Sequence, residues 1–430
     1  MVRMFKGKIK RNRDKLSTLP DELLCVIISL LPLKEAVRTL ILSTRWKDLF
    51  TSISCLNFDD NGFHDGFMNV VDRVLFARKG VDVTKFRLKC RKALDRSRAE
   101  GWIQYALWHN VRELELDLIV PMETRIPFKT PPGLFTCRTL VTLKLVMANI
   151  IELKIPVHLP CLKILHLELI KFSGDDSVEK LFSSCQVLDE LTVHRCSFEK
   201  VTEFNVINPS LKRLTISHHP GVYEFENRIV INVPNLVYFK YFHFIAKEHI
   251  LLDLNSLVEA HIDFGPVFNS LFYDFGTTNL IRGISSLQSL HFSGPFSEAL
   301  LLGDDQIPDL PNMTYLKIGR CYPQGWERLL SSTPFLETLV FEELPCFQEK
   351  IMKPPEQVPS CLISQIKSIK FQSFKGKKSE LQMVEYFLKQ AQTLENLIIH
   401  ITARQNRKLR ITEELLKIPR ISHVCRVVIV

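Results

Sequence analysis

A chain of 430 residues, 46% of them hydrophobic, exceeds one ordinary compact domain and holds ample material for a large core. Its eleven cysteines form no C-x-x-C pair, no secretory pattern opens it and no apolar run approaches a membrane span; free, mostly buried thiols in a reducing intracellular setting, nucleus and/or cytoplasm, are expected, with no membrane partner. The net charge of +9 is concentrated in residues 1–15 and 85–98, each with seven basic residues against one acid, so the body lacks the broad basic face of a nucleic-acid binder and no nucleic-acid partner is expected.

Residues 1–15 read as a basic, disordered tail, either an import signal or a solubilising one. Leu16 to Phe58 then reads as a compact helical module. Thr18 is a candidate N-cap, and Asp21 and Glu22 lie in the first turn, where carboxylates favour the helix dipole. Leu23, Leu24, Ile27, Ile28 and Leu31 recur at three- and four-residue spacing and form an apolar stripe. Pro32 ends that helix. A second helix is predicted over Lys34–Leu42, and a third begins near Thr44 and carries Trp46 and Leu49. Some forty residues cannot bury that much apolar surface alone, so another surface must cover it.

The order LPDELL, a second LP after one helical segment, then Ser43-x-Arg45-Trp46 resembles an F-box. The resemblance spans the whole module, 16–60. It implies docking on the Skp-type adaptor of a cullin–RING ubiquitin ligase, through Leu19, Pro20, Leu23, Leu24, Ile28, Leu31 and Pro32, with Trp46 holding the helices together. Phe50 stands where plant relatives often have tryptophan. Without that frame, an ordinary N-terminal helical hairpin packed on the rest of the chain would be the reading.

After a helix within 61–80 (Met68, Val71, Val74, Leu75), one pattern keeps returning: apolar, two residues, apolar, one residue, apolar. It runs from Val83/Phe86/Leu88 and Val111/Leu114/Leu116 through Leu257/Ala260/Ile262 and Leu287/Leu290/Phe292 to Leu394/Leu397/Ile399. Successive copies are 21 to 30 residues apart, inside the leucine-rich-repeat range. Each copy predicts a short strand with two side chains inward and one outward. Return segments are predicted as helices at Ser177–Cys185, Glu298–Leu302, Trp326–Ser331 and Leu381–Ala391. One such unit cannot bury its apolar edge, so neighbours must stack and share a core. Unrelated βα units in a doubly wound sheet are the competing arrangement; steps of 21 to 30 residues and the absence of a Gly-rich strand–helix turn favour a solenoid.

The stretches Cys137–Leu145, Leu159–Leu167 and Cys185–Leu191 also resemble the leucine-rich repeats of plant F-box proteins. From Val358-Pro359 through Phe374-Lys375-Gly376, Glu380, Tyr386, Leu394-Glu395 and Pro419-Arg420 to Cys425, the chain is similar to the FBD domain that closes many of them, although the tryptophan usual before its first prolines is missing. The final strand, Cys425–Val430, is expected to be buried and to end the sheet. The fold class is therefore α/β: a three-helix F-box, a curved leucine-rich-repeat solenoid with a parallel sheet over 61–357, and a closing FBD unit over 358–430.

Catalytic signatures are missing from the sequence: no phosphate loop, nucleophile elbow, H-E-x-x-H helix or dinucleotide turn. His194 and Cys196, close together on a predicted strand, are not expected to share a metal. Asp175-Asp176 and Asp304-Asp305 are expected in loops, and His218-His219 in a turn. Cys90 alternates with basic residues and should be buried. No catalytic residue, metal or cofactor is expected, and the chain is not expected to be an enzyme.

The resemblance implies a substrate-recognition subunit of an SCF-type ubiquitin ligase, joined through the adaptor to cullin, with the repeats holding an unknown protein substrate. The alternative is a non-degradative adaptor-binding scaffold. For the target, Lys85, Arg87, Lys89 and Arg91 form an outward basic row that could attract an acidic or phosphorylated segment. The competing reading of that row is a solvated basic edge that blunts strand pairing. The outward Lys144, His166 and Thr192 of the middle repeats are the other candidates.

Overall fold

The computed structural model describes residues 16–430 except 17, 62, 64–65, 79, 93, 120–129, 152–155, 199, 218–227, 243–245, 247, 264–279, 281–282, 294–306, 320–325 and 344–356. The basic tail, His218-His219, Asp304-Asp305 and the helix expected at Glu298–Leu302 lie outside the described residues. The chain divides into two compact units, Met1–Leu143 and Lys144–Val430.

The first unit opens with α1 (Asp21–Leu30), α2 (Leu33–Arg38) with a 3₁₀ turn at Thr39–Ile41, and α3 (Thr44–Ser52). Pro20 and Pro32 occupy the N-cap positions of α1 and α2. Thr18 is therefore not the cap; proline's fixed φ starts each helix instead. The predicted second helix is shorter than expected, because its last turn tightens to 3₁₀ geometry. Trp46, Leu49 and Phe50 of α3 are buried, and Arg45 clamps the start of α1, donating to the Asp21 carboxylate at 2.6 Å and the Leu19 carbonyl at 2.7 Å.

Three parallel strands follow in this unit, β1 (Cys55–Asp59), β2 (Lys85–Lys89) and β3 (Glu113–Asp117), with α4 (Phe67–Ala77) and α5 (Arg96–Trp108) as the returns. The Asp95 side chain caps α5 by accepting the Arg98 N–H. The two helices are tied by the Trp102 indole N–H, which donates to Asp72 at 2.7 Å.

β4 (Thr142–Ile151) begins at the end of the first unit. The second unit continues with β5 (Ile164–Phe172), α6 (Asp175–Ser183), β6 (Glu190–His194), β7 (Glu203–Ile207), β8 (Arg213–Ser217), β9 (Arg228–Asn232), β10 (Tyr238–Phe242) and β11 (Glu248–Leu252). Next come β12 (Glu259–Asp263), β13 (Ser289–Ser293), β14 (Tyr315–Ile318), α7 (Trp326–Ser331), β15 (Thr338–Phe341) and α8 (Ser360–Ser364). The C-terminal part holds β16 (Ser368–Phe374), α9 (Lys378–Gln390), β17 (Asn396–Ile401), α10 (Gln405–Leu416) and β18 (Arg426–Ile429). The main strands of this unit pair in parallel in the order β5-β6-β8-β10-β12-β13-β14-β15-β16-β17-β18, while β7, β9 and β11 form a separate sheet in the order β11-β9-β7.

All thirteen sequence copies fall on strands, and both inward residues of each are 2% exposed or less. The copies at Ala260 and Leu290, the poorest matches to the pattern, are as buried as the rest. A repeating backbone link fixes the register. The Lys212 carbonyl accepts from Val237 and Tyr238, the Val258 carbonyl from Gln288 and Ser289, and the Lys367 carbonyl from Glu395 and Asn396, at 2.9 to 3.0 Å. Each repeat thereby locks the next in the same phase, which leaves outward residues in straight rows.

Two expectations change. Asp175 and Asp176 lie in the first turn of α6, not in a loop; the Asp175 carboxylate accepts from the Thr202 N–H at 2.7 Å and its hydroxyl at 2.5 Å, pinning the start of β7's segment. β18 does end the sheet, but it is not buried: Val428 is 45% exposed. An edge strand has a neighbour on one side only, so its inward Val427 and Ile429 are only half covered.

Candidate protein-interaction sites

The first candidate is the N-terminal helical module. Leu24 and Ile28 are 0% and 1% exposed, on the helix α1 that packs against α3, and belong to the core of the module. Leu23 is 51%, Leu30 78% and Ile41 86% exposed, and Val26 and Leu42 are exposed as well. Leu23, Val26 and Leu30 share one side of α1 at three- and four-residue spacing. Pro20 and Pro32 are exposed and Leu19 and Leu31 half-buried. An uncovered side of this kind on a three-turn helix is what an apolar partner surface takes. Val26, Leu30, Ile41 and Leu42 were not among the residues expected from the sequence. The α1 stripe is wider than one face, so periodicity alone did not separate its inner from its outer edge.

The second candidate is the basic row. Phe86 and Leu88 are buried, and Lys85, Arg87 and Lys89 point outward as expected. However, β2 is an inner strand, paired with both β1 and β3, so the row does not blunt an edge. Its charges are matched across the sheet. Lys85 lies 3.1 Å from Glu113, Arg87 3.5 Å from Glu115, Lys89 3.0 Å from Asp59 and Arg91 2.7 Å from Asp117. Four cations face four carboxylates. An acidic segment docking here would have to displace these ladder pairs.

The third candidate is the outward face of the second unit's main sheet. Register aligns His166, Thr192, Thr215, Lys240, His261, His291 and Lys317 in one row. Lys144, on β4, is half-buried. His166 lies 3.5 Å from Glu168, and His194 pairs its Nδ1 with the Ser217 hydroxyl at 2.5 Å. Burial, reinforced by Arg195, His166 and Lys240, lowers the His194 pKa below its usual 6.5, against the pull of Glu168. Burial beside Lys317 and His261 does the same to His291. Below pH 6.5 the unfolded chain takes up protons at these positions that the folded chain resists. Stability from this source is therefore full above pH 6.5 and falls as the pH drops below it. Denaturant midpoints of the full chain at pH 8, 7, 6 and 5 should decline on the acid side, with a shallower slope in His291→Gln. An unchanged slope in that variant would remove His291 from the account.

Cys90, Cys185 and Cys196 are set for packing. Burial pushes Cys90, with help from Asp60, and Cys185 and Cys196 up to about 12, so none is a thiolate at neutral pH. His194 points outward whereas Cys196 is buried beyond the strand end. Among the described residues no cluster of three metal-binding side chains occurs, and no helix is long and apolar enough to cross a membrane.

Comparison with known proteins agrees with this layout. Residues 16–58 match the F-box domain, 99–250 the leucine-rich repeats of the FBD-associated F-box protein At5g56370, and 353–399 the FBD. Over 97% of its length the chain is 32% identical to the F-box/LRR-repeat protein At3g59200 of Arabidopsis thaliana, covering 88% of that protein. Over 90% of its length it is 33% identical to the F-box/LRR-repeat protein At4g14096 of the same plant, again covering 88%. The putative F-box/FBD/LRR-repeat protein At3g59240, also from Arabidopsis thaliana, is 32% identical over 91% of the chain, with 84% of it covered.

Proposed function

From the premise that this chain belongs to the F-box/LRR-repeat family of plant proteins, we propose that it is a substrate receptor of an SCF-type ubiquitin ligase. The observation that carries this reading is the uncovered apolar side of α1 on a module otherwise packed around Trp46. In this reading the Skp-type adaptor lies on Pro20, Leu23, Val26, Leu30, Leu31 and Pro32, with Leu19 at the margin. Leu24 and Ile28 act from within by fixing the helix. The chain itself makes and breaks no bond. It raises the effective concentration of a target lysine near the charged conjugating enzyme.

The target surface in this reading is the outward face of the second unit, with His166 and Thr192 in its central row. The Lys85, Arg87, Lys89 and Arg91 row is the weaker candidate, because its charge is already matched. The test is reconstitution of the full chain with adaptor, cullin and RING subunits, then recovery of ubiquitinated partners from cells with the proteasome blocked. Ubiquitin transfer to a partner bound by the repeats is expected. Adaptor capture with no transfer to any bound partner would favour the non-degradative scaffold, and no adaptor capture would overturn the proposal.

A further inference from the structure

On the open face of the second unit, one stretch differs chemically from its surroundings. In register, Arg213, Tyr238, Glu259, Ser289 and Tyr315 occupy the same level of five neighbouring strands. His261 and His291 stand one level above Glu259 and Ser289, edge to face, with ring centres 5.1 Å apart. Strands lie about 4.8 Å apart, so Tyr238 and Tyr315 are separated by roughly 14 Å. Between them the short Ser289 leaves a slot bounded by Glu259 on one side and Tyr315 on the other.

Among the described residues the acid of this slot, Glu259, meets a histidine and no lysine or arginine, unlike the acids on β3. Among the described residues Glu259 makes one polar contact, with His261 Nε2 at 2.7 Å, and its side chain is 44% exposed. Lys317, the lysine of the adjoining strand, is engaged by Glu342 at 3.2 Å. Gly319 makes room for that arrangement: a Cβ there would lie 2.6 Å from the Ser293 hydroxyl and 3.3 Å from Glu342. The field of Glu259 reaches both tyrosines. After burial, it is the next cause raising the Tyr238 and Tyr315 hydroxyl pKa values.

The same row already contains one cation on a tyrosine. The Arg213 guanidinium sits over the Tyr238 ring, 4.2 Å from its centre. Tyr315 has the same place on its strand and Glu259 nearby, but no arginine of the chain is stacked on it among the described residues.

We propose that the Glu259–Ser289–Tyr315 slot takes an arginine side chain of the target, whose guanidinium lies over Ser289, donates to the Glu259 carboxylate and stacks on Tyr315. Carboxylate pairing and ring stacking both favour the planar guanidinium over an ammonium. The inference rests on the reading of this face as the target surface, and it narrows the target to one presenting an exposed arginine.

The experiment uses the full chain bound to adaptor and a set of immobilised peptides. Each peptide has one central position, arginine, lysine, citrulline or glutamate, in a Gly-Ser frame. Retention on arginine at least about fivefold above citrulline, with lysine between, is expected from a guanidinium–carboxylate pair with stacking. Glu259→Gln should remove the arginine-over-citrulline preference. Ser289→Leu should do the same by filling the slot with no change of charge, and Tyr315→Phe should retain it. Equal retention of arginine and citrulline, a preference for glutamate, or a Ser289→Leu chain that still selects arginine would each overturn the proposal. Thermal melting of each variant guards against misfolding. Adaptor capture in the same samples separates this result from the receptor reading: arginine selection can fail while adaptor and ubiquitin transfer persist.

Discussion

Leu23→Asp should release the adaptor without moving the chain's thermal transition, whereas Leu24→Asp should lose the adaptor by unfolding the module. The two residues are neighbours, but about 100° apart around α1. Leu23 is half exposed, so in the free chain its replacement only exchanges one solvated group for another. In the complex the new carboxylate meets an apolar surface with no partner, which costs about 2 kcal/mol or more, roughly 30-fold in affinity. Leu24 is fully buried beneath Trp46's helix. There the carboxylate is stranded in the folded chain itself, at a cost of about 4 kcal/mol or more. Forty residues with a small core have little stability to absorb it. Adaptor pull-down with circular dichroism melting of the full chain distinguishes the two. Retention of adaptor by Leu23→Asp would move the docking surface elsewhere, and a fully folded Leu24→Asp would contradict its placement in the core.

The pair also marks where sequence reading stops. The stripe of α1 was legible because apolar residues recur at helical spacing, but a stripe covering more than half of the helix has both an inner and an outer margin. Which margin faces α3 depends on Trp46, Leu49 and Phe50, about twenty residues away. The repeat strands were legible down to single residues, because each needs two buried apolar side chains at fixed spacing. The second sheet was missed although its signal was present: Val201/Phe204/Val206 has the full repeat spacing, and Ile229/Ile231 alternates with Glu226 where the third apolar residue would stand. Likewise Leu56 and Phe58 of β1 were absorbed into the helical module. The basic row was read correctly in direction and incompletely in charge. Its neutralising partners, Glu113, Glu115 and Asp117, stand one repeat later with the same alternation, and stacking by one repeat places them alongside Lys85, Arg87 and Lys89. The sequence therefore contained the pairing once the period was known.

Truncation before Val358 should leave a chain that aggregates or expresses poorly, with the remaining transition lowered by ten degrees or more, roughly what losing several buried side chains implies. The last repeats are not an appended domain in this structure. β15 pairs with β16 through four register positions, and the Glu337 carbonyl accepts from Lys367 and Ser368 as earlier repeats do from theirs. Phe341 stacks on Phe371 with ring centres 5.1 Å apart and lies 5.7 Å from Phe387, and Trp326 packs on Phe387 and Tyr386. Removing 358–430 uncovers Phe341, Leu339, Trp326 and Leu330. At about 1.5–3 kcal/mol each, their re-exposure amounts to roughly 8 kcal/mol, comparable to the whole stability of a typical domain. It also bares the hydrogen-bonding edge of β15, a template for strand addition by another chain. The present end is better tolerated because β18 is short and carries Arg426 at its exposed start. Phe371→Ala in the full chain is the milder version, expected to cost about 3–5 kcal/mol at the same junction while leaving the edge covered. Sedimentation and melting of both variants decide the matter. A soluble, monomeric 1–357 fragment with an unchanged melting profile would mean that the C-terminal unit folds apart from the repeats, and Phe371→Ala would then have to leave the melting of the preceding repeats untouched.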